Sequence, residues 1–187
     1  MDYKEACKKL SEEILNGNIK NSRQLELKKS EIAAHFNLDK TPRNSDILEC
    51  LEERKEEFVN ILIKRPIRTM SGVAVIAVMP LPSKCPHGRC VYCPGDAINT
   101  PQSYTGKEPA TMRALSFRFH PFLQTFHRLK QLYNTGHEID KVELIIMGGT
   151  FPSQSFDYQE YFIRECLNAM NYFDPLGDEM SLDNMYD

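Results

Sequence analysis

Cys85, Cys90 and Cys93 are spaced as Cys, four residues, Cys, two residues, Cys, just downstream of an apolar run that reads as a buried strand. Three clustered thiols without an evident fourth predict a metal centre with one open coordination position. In an iron-sulfur cluster whose cysteines hold three irons, the remaining iron is free for an exogenous ligand, which is what chemistry at a cluster requires. Two rivals share the spacing. The plant-type ferredoxin pattern also opens four-then-two but needs another cysteine downstream, and only Cys166 lies there, within a helical pattern. A structural zinc site is the stronger rival, because His87 falls between the first two cysteines and would complete a Cys3His tetrahedron. Against zinc stands Tyr92, directly before the last cysteine, where an aromatic can stack on a bound nucleoside.

A second feature is the glycine pair Gly148 and Gly149 at the end of another apolar run, which lets backbone approach a ligand closely. Alone it is weak, since many strand-to-helix turns use such a pair for steric reasons. A third is charge. Phe58 to Gly95 contains Lys64, Arg65, Arg68, Lys84 and Arg89 and no acidic residue, and it runs straight into the cysteines. Such a stretch favours phosphates or carboxylates nearby. The chain's net charge of −3 hides this, because Asp174 to Asp187 holds five acids and no basic residue.

The elements that must position these groups follow from periodicity. Residues 1 to about 65 are helical in pattern: Leu10, Ile14 and Leu15 form a stripe ending at Gly17, Ser22 is placed to cap a segment running towards Phe36, and Pro42 breaks the pattern. Ser45 then caps a helix carrying Ile47, Leu48, Leu51, Phe58, Val59 and Leu62, which ends before Pro66. Lys28, Lys29, Lys40 and Arg43 read by default as the solvated face of this module, with contact to a phosphate backbone as the alternative.

From Pro66 the texture changes. Val73 to Met79 is a continuous apolar run rich in β-branched residues, the mark of a strand covered on both faces in a parallel sheet. A long Pro- and Gly-rich loop extends to about Pro109, a helix follows from Pro121 through Tyr133, and Val142 to Met147 forms a second strand. Ser155 then caps a helix through Met170. The βαβα order predicts two parallel strands with a right-handed crossover. Ligands of such sheets sit at the carboxyl ends of strands, where both the cysteine loop and the glycine turn emerge.

With 187 residues, 41% hydrophobic and 26% charged, the chain can bury one sizeable core and a small second one. No apolar stretch approaches the ~20 residues of a membrane span, and Met1 to Lys9 lacks a signal-peptide core. A soluble cytoplasmic protein with no membrane partner is expected. Six cysteines in a chain of this length fit metal ligation in a reducing compartment better than a disulfide framework, and Cys7, Cys50 and Cys166 read as packing. His35, His120, His127 and His137 have no partner spacing that suggests ligation and read as structural.

The segments Cys-Pro-His-Gly-Arg-Cys-Val-Tyr-Cys-Pro-Gly (85 to 95), Gln-Ser-Tyr-Thr-Gly-Lys-Glu-Pro (102 to 109), Asp-Lys-Val-Glu (140 to 143) and Met-Gly-Gly-Thr-Phe (147 to 151) resemble the Elongator catalytic-subunit family, radical S-adenosylmethionine enzymes. The basic text from Lys64 to Thr69 and Ser71 to Val75 is similar as well, so the likeness runs from about Pro42 to Asp174. It implies an acyltransferase-type radical enzyme modifying C5 of the wobble uridine, position 34, of tRNA. In that family the open iron of a [4Fe-4S] cluster binds S-adenosylmethionine, and the radical made from it is thought to take hydrogen from the methyl of acetyl-CoA. The resemblance makes Cys85, Cys90 and Cys93 the iron ligands, puts Tyr92 on the adenine side and Gly148 and Gly149 by the methionine moiety, and matches Lys141 to a lysine associated with acetyl-CoA. It also implies tRNA as partner, with other Elongator-type subunits or a second copy. The first cysteine gap of four is a variant of the usual three, Asp96 stands where the family commonly has a second glycine, and Thr150 agrees with the family pattern.

The expected architecture is α/β: a helical N-terminal module over 1–65 able to contact tRNA, the first βα units of a radical S-adenosylmethionine (β/α) barrel over 66–173, and an acidic tail or linker over 174–187. A full barrel takes ~250 residues, so the chain reads as an N-terminal portion that exposes barrel edges and turns over poorly alone. The alternative from another class is a non-catalytic zinc-stabilised module that binds RNA or a protein partner through its basic stretch.

Overall fold

The computed structural model describes residues 2–51, 54–63, 69–148 and 151–174. The basic group from Lys64 to Arg68, together with Gly149, Thr150 and nearly all of the acidic tail, lies outside the described residues. The chain forms two compact units, Met1–Ala74 with Gln131–Val142 and Val75–Lys130 with Glu143–Asp187.

The first unit is built on four helices, α1 (Asp2–Leu15), α2 (Ser22–His35), α3 (Asn44–Cys50) and α4 (Lys55–Leu62). Gly17 ends α1 as expected: it turns the chain at φ 74, and the N–H groups of Gly17 and Asn18 donate back to the carbonyls of Ile14 and Glu13. The cap of α2 is Asn21 rather than Ser22. The Asn21 side chain accepts from the Gln24 N–H at 2.9 Å, while the Ser22 hydroxyl donates to the Ile61 carbonyl at 3.1 Å.

The single helix expected after Ser45 is two helices, and Ser45 is not a cap: α3 starts one residue earlier, with Arg43 as an N-cap that makes no side-chain bond. Between Leu51 and Phe58 the sequence is Glu-Glu-Arg-Lys-Glu-Glu, so no apolar side chain holds a continuous helix to the core there. The core joins Ala6, Leu10, Ile14, Ile19, Leu25, Ile32, Ile47, Leu48, Leu51 and Leu62. Lys29, expected on the solvated face, is buried. Its Nζ donates to Asn44 Oδ1 at 2.9 Å and to Glu26 at 3.1 Å, and Asn44 Nδ2 donates to the Leu62 carbonyl at 2.6 Å. A buried ammonium is tolerable only when partnered in this way.

Strands β1 (Ala74–Val78) and β2 (Val142–Ile146) pair in a two-stranded sheet. The Ala74 N–H donates to the Lys141 carbonyl and the Met147 N–H to the Val78 carbonyl, so the register advances in the same direction on both strands and the pair is parallel, as expected. Burial on both faces is not found. Ala74, Ile76 and Val78 are buried, but Val75 and Ile145 are each more than a third exposed, so only one face of the pair is covered.

The remaining helices are α5 (Pro109–Ser116), α6 (Pro121–Asn134) and α7 (Phe156–Asn171). α5 falls where the sequence suggested only the end of a loop. Pro109 sits in its first turn, where a missing N–H costs nothing. Ser155 caps α7 as expected, its side chain accepting from the Tyr158 N–H. Phe122, Leu123, Phe126 and Ala169 form one buried cluster of the second unit, and Met79, Ala110, Ala114 and Phe119 another. Among the described residues no helix is long and apolar enough to cross a membrane.

Candidate metal centre

The chain leaves β1 through a junction pinned by side chains. Gln124, almost fully buried, donates its Nε2 to the Met79 carbonyl and accepts the Met79 N–H at its Oε1, both at 2.9 Å, so a side-chain amide continues the strand's hydrogen-bond ladder. Two residues on, the Leu81 N–H donates to the Tyr158 hydroxyl at 2.9 Å, and Gln154 donates to the Leu81 carbonyl at 3.2 Å. The loop that follows starts from a fixed point.

Its two ends are drawn together by Gln102. The Cys85 N–H donates to Gln102 Oε1 at 3.2 Å, and the Gly95 N–H donates to the Gln102 carbonyl at 2.9 Å. Glycine is required at 95 by space: a Cβ there would stand 2.3 Å from the Pro101 oxygen and 2.8 Å from that of Tyr104. Asp96, directly after Gly95, is consumed by the loop itself. Its Oδ1 accepts from the N–H groups of Ile98 and Asn99, each at 2.9 Å, and these bonds hold its carboxyl well below the usual range. Glu108 plays the same part at the far end. It accepts from the Thr105 N–H and hydroxyl and from Gly106 and Thr111, and the Thr105 bonds first hold its carboxyl down at about 2.

Within the closed loop all three cysteines are free and half-buried. Tight turns join Gly88 to Cys85 and Cys93 to Cys90 by main-chain bonds of 3.0 and 3.1 Å, and the Arg89 guanidinium donates twice to the Cys93 carbonyl. His87 Nε2 lies 3.2 Å from Cys90 Sγ. Tyr92 is 86% exposed. Among the described residues no three His, Cys, Asp or Glu side chains converge as a metal-holding group, so ligation by Cys85, Cys90 and Cys93 requires the loop to draw its sulfurs inward. The donor chemistry nonetheless suits an iron-sulfur cluster: three thiols, none in a disulfide, on one loop with tied ends.

Gly148 follows the carboxyl end of β2 at φ 143, and a Cβ on it would lie 3.5 Å from Pro80, so its backbone comes close to the start of the cysteine loop. Its neighbour Gly149 lies outside the described residues. Lys141 is exposed at the amino end of the same strand, where its carbonyl accepts the Ala74 N–H. Cys7 and Cys166 are buried. Burial, then the neighbouring Cys50, pushes the Cys7 thiol up to about 11, and burial pushes that of Cys166 up to about 11. Neither is suited to ligation at neutral pH. His137 is buried against the Thr69 hydroxyl at 3.0 Å and His127 stacks on Phe117, both in packing roles.

Nothing in the sequence marks Gln102, Gln124 or Glu108 as the ties of the loop. Residues 102 to 109 stood out only as part of a likeness, and no spacing rule marks a glutamine that closes a loop.

Residues 3–70 match the family model of the ELP3 N-terminal domain. The chain is 58% identical over 135 residues to a tRNA uridine(34) acetyltransferase of Methanocaldococcus infernus, covering 70% of this chain and 25% of that protein. It is 56% identical over 138 residues to the protein of the same name from Methanocaldococcus jannaschii, covering 71% and 26%. To Elongator complex protein 3 of Homo sapiens it is 45% identical over 153 residues, covering 76% and 28%. The chain thus spans about a quarter of the length of the curated relatives it matches.

Proposed function

We propose that this chain, a relative of the Elongator catalytic-subunit family over its N-terminal portion, supplies the cluster-binding part of an enzyme that modifies C5 of uridine 34 in tRNA with acetyl-CoA as co-substrate. The observation that carries the reading is the tied loop of three free cysteines leaving the carboxyl end of a parallel strand, in a chain whose relatives bear the name tRNA uridine(34) acetyltransferase. When bound, a [4Fe-4S] cluster with S-adenosylmethionine supplies hydrogen abstraction from an unactivated methyl, for which no side-chain base is strong enough.

The chain's own residues hold and orient. Cys85, Cys90 and Cys93 ligate iron, and the exposed Tyr92 ring offers a face for the adenine. Gly148 and Gly149 let main chain come close to the methionine moiety, and Lys141 meets acetyl-CoA. The helical module over 1–65, where Lys40 and Arg43 are exposed, contacts tRNA, and residues 66–173 begin the (β/α) barrel whose exposed sheet face, Val75 and Ile145, further strands cover. Residues 174–187 serve as a linker, and other Elongator-type subunits or a second copy complete the assembly in the cytoplasm.

The 3.2 Å approach of His87 to Cys90 favours a second reading, a Cys3His zinc module without catalysis that binds RNA or a protein partner. Anaerobic reconstitution with iron and sulfide separates the two. The first reading expects a coloured chain whose electron paramagnetic resonance signal changes on adding S-adenosylmethionine. It also expects iron to fall to background in Cys85→Ala, Cys90→Ala and Cys93→Ala. A colourless, zinc-loaded chain, from which His87→Ala releases the metal, sinks it.

A further inference from the structure

We propose that Gln102 is the positioning residue of the cysteine loop, fixing Cys85 relative to Cys90 and Cys93 by clasping both ends of the segment between Cys85 and Gly95. One residue makes both closing bonds: its side-chain oxygen takes the Cys85 N–H and its main-chain oxygen takes the Gly95 N–H. It is 8% exposed, so these bonds form where water competes poorly. Gly95 packs directly against Pro101 and Tyr104, which holds the closed ends of the loop in place while the sulfurs between them draw inward to meet a metal.

Three consequences follow from geometry. Tying the two ends removes the closure entropy that a metal would otherwise have to overcome when it gathers its ligands. Cys90 and Cys93 are already related by their own tight turn, so the clasp on Cys85 orders the one ligand that lies apart. The Cys85 N–H is also committed to Gln102 and does not donate to sulfur, and hydrogen bonds to sulfur are among the factors that set a cluster's reduction potential. The part of the inference that concerns a cluster rests on reading the cysteines as iron ligands. The clasp does not.

The test uses the whole chain with Gln102→Ala and Gln102→Glu. Alanine removes the acceptor for Cys85 and leaves the main-chain acceptor for Gly95, whereas glutamate keeps an acceptor and adds charge. Amide hydrogen exchange without metal is expected to show protection at Cys85 falling about fivefold in Gln102→Ala, the loss of one hydrogen bond. Amides of α7 stay unchanged, which shows that the unit is still folded, and Gln102→Glu restores Cys85. After reconstitution the midpoint potential rises in Gln102→Ala, where the freed N–H turns to sulfur, and falls in Gln102→Glu, where negative charge is added. Equal protection at Cys85 in all three proteins overturns the clasp, and potentials that do not separate overturn its role toward a cluster. A wild-type chain that takes up no iron, yet loses Cys85 protection in Gln102→Ala, overturns the iron reading and upholds the clasp.

Discussion

In the helical module, buried Leu, Ile and Ala side chains from α1 to α4 meet in one core, and the buried ammonium of Lys29 is admitted only with two partners. Between Leu81 and Glu108 the arrangement is reversed. Leu81, Val91, Tyr92 and Ile98 stand in solvent, and order comes from carboxylates and amides that take up main-chain N–H groups: Asp96, Glu108, Gln102 and, at the entry, Gln124. Apolar burial is strong but non-directional, so it builds a stable body without aiming any particular group. Hydrogen bonds are weaker and directional, so they can aim cysteines while leaving apolar surface free to meet a ligand.

If the two regions are stabilised independently, breaking one should spare the other. Leu10→Ala, at a fully buried site of the module core, is expected to cost ~2–5 kcal/mol and to lower the melting temperature of the module. Exchange at Cys85 and Gly95 should stay as in the wild type, and loss of loop protection in this variant would show that the separation is false. Gly95→Ala inverts the experiment. Its Cβ has no room against main-chain oxygens, so the loop must open at a cost of ~1–3 kcal/mol, with iron uptake reduced and the module's melting hardly moved.

Acid sharpens the contrast further. Glu108 has a folded-state pKa of about 2 against an ordinary 4.5, a depressed value, so its contribution is complete above pH 4.5 and is lost as pH falls towards 2. Asp96 shifts in the same direction. Protection of the loop amides, taken relative to their intrinsic exchange at each pH, should therefore fall between these limits before the helical far-ultraviolet signal of the chain declines, and Glu108→Gln should flatten that acid limb. An unchanged acid profile in the variant would remove Glu108 from the account. The smallest effect is assigned to Tyr158→Phe, which deprives the Leu81 N–H of its acceptor and costs about 1 kcal/mol. It should be visible as faster exchange at Leu81 alone.

Much of the fold was legible because apolar period and turn residues are local signals. The buried α1 positions Leu10 and Ile14 with the stop at Gly17, the Ser155 cap and the two parallel strands all followed from neighbouring residues, whereas Leu15, expected in the same stripe, is exposed. What failed was decided elsewhere in the chain. Whether β1 is covered on one face or two depends on which elements pack on it, and whether Lys29 is solvated depends on Asn44, fifteen residues away. Helix α5 was hidden because Pro109 looked like punctuation, although a proline opens a helix as readily as it ends one. Of the candidate site, the three cysteines stand out by their type and spacing. The Gln102 clasp does not, since nothing in a glutamine's neighbours reveals which distant N–H it will accept.

The elevated Cys7 and Cys166 thiols have a practical consequence for anyone handling the chain. Both are sheltered and remain protonated at neutral pH, and alkylating reagents attack the thiolate. Brief treatment with iodoacetamide should mark Cys85, Cys90 and Cys93 in preference to those two, so peptide mass mapping can read occupancy of the loop from the thiols that escape labelling.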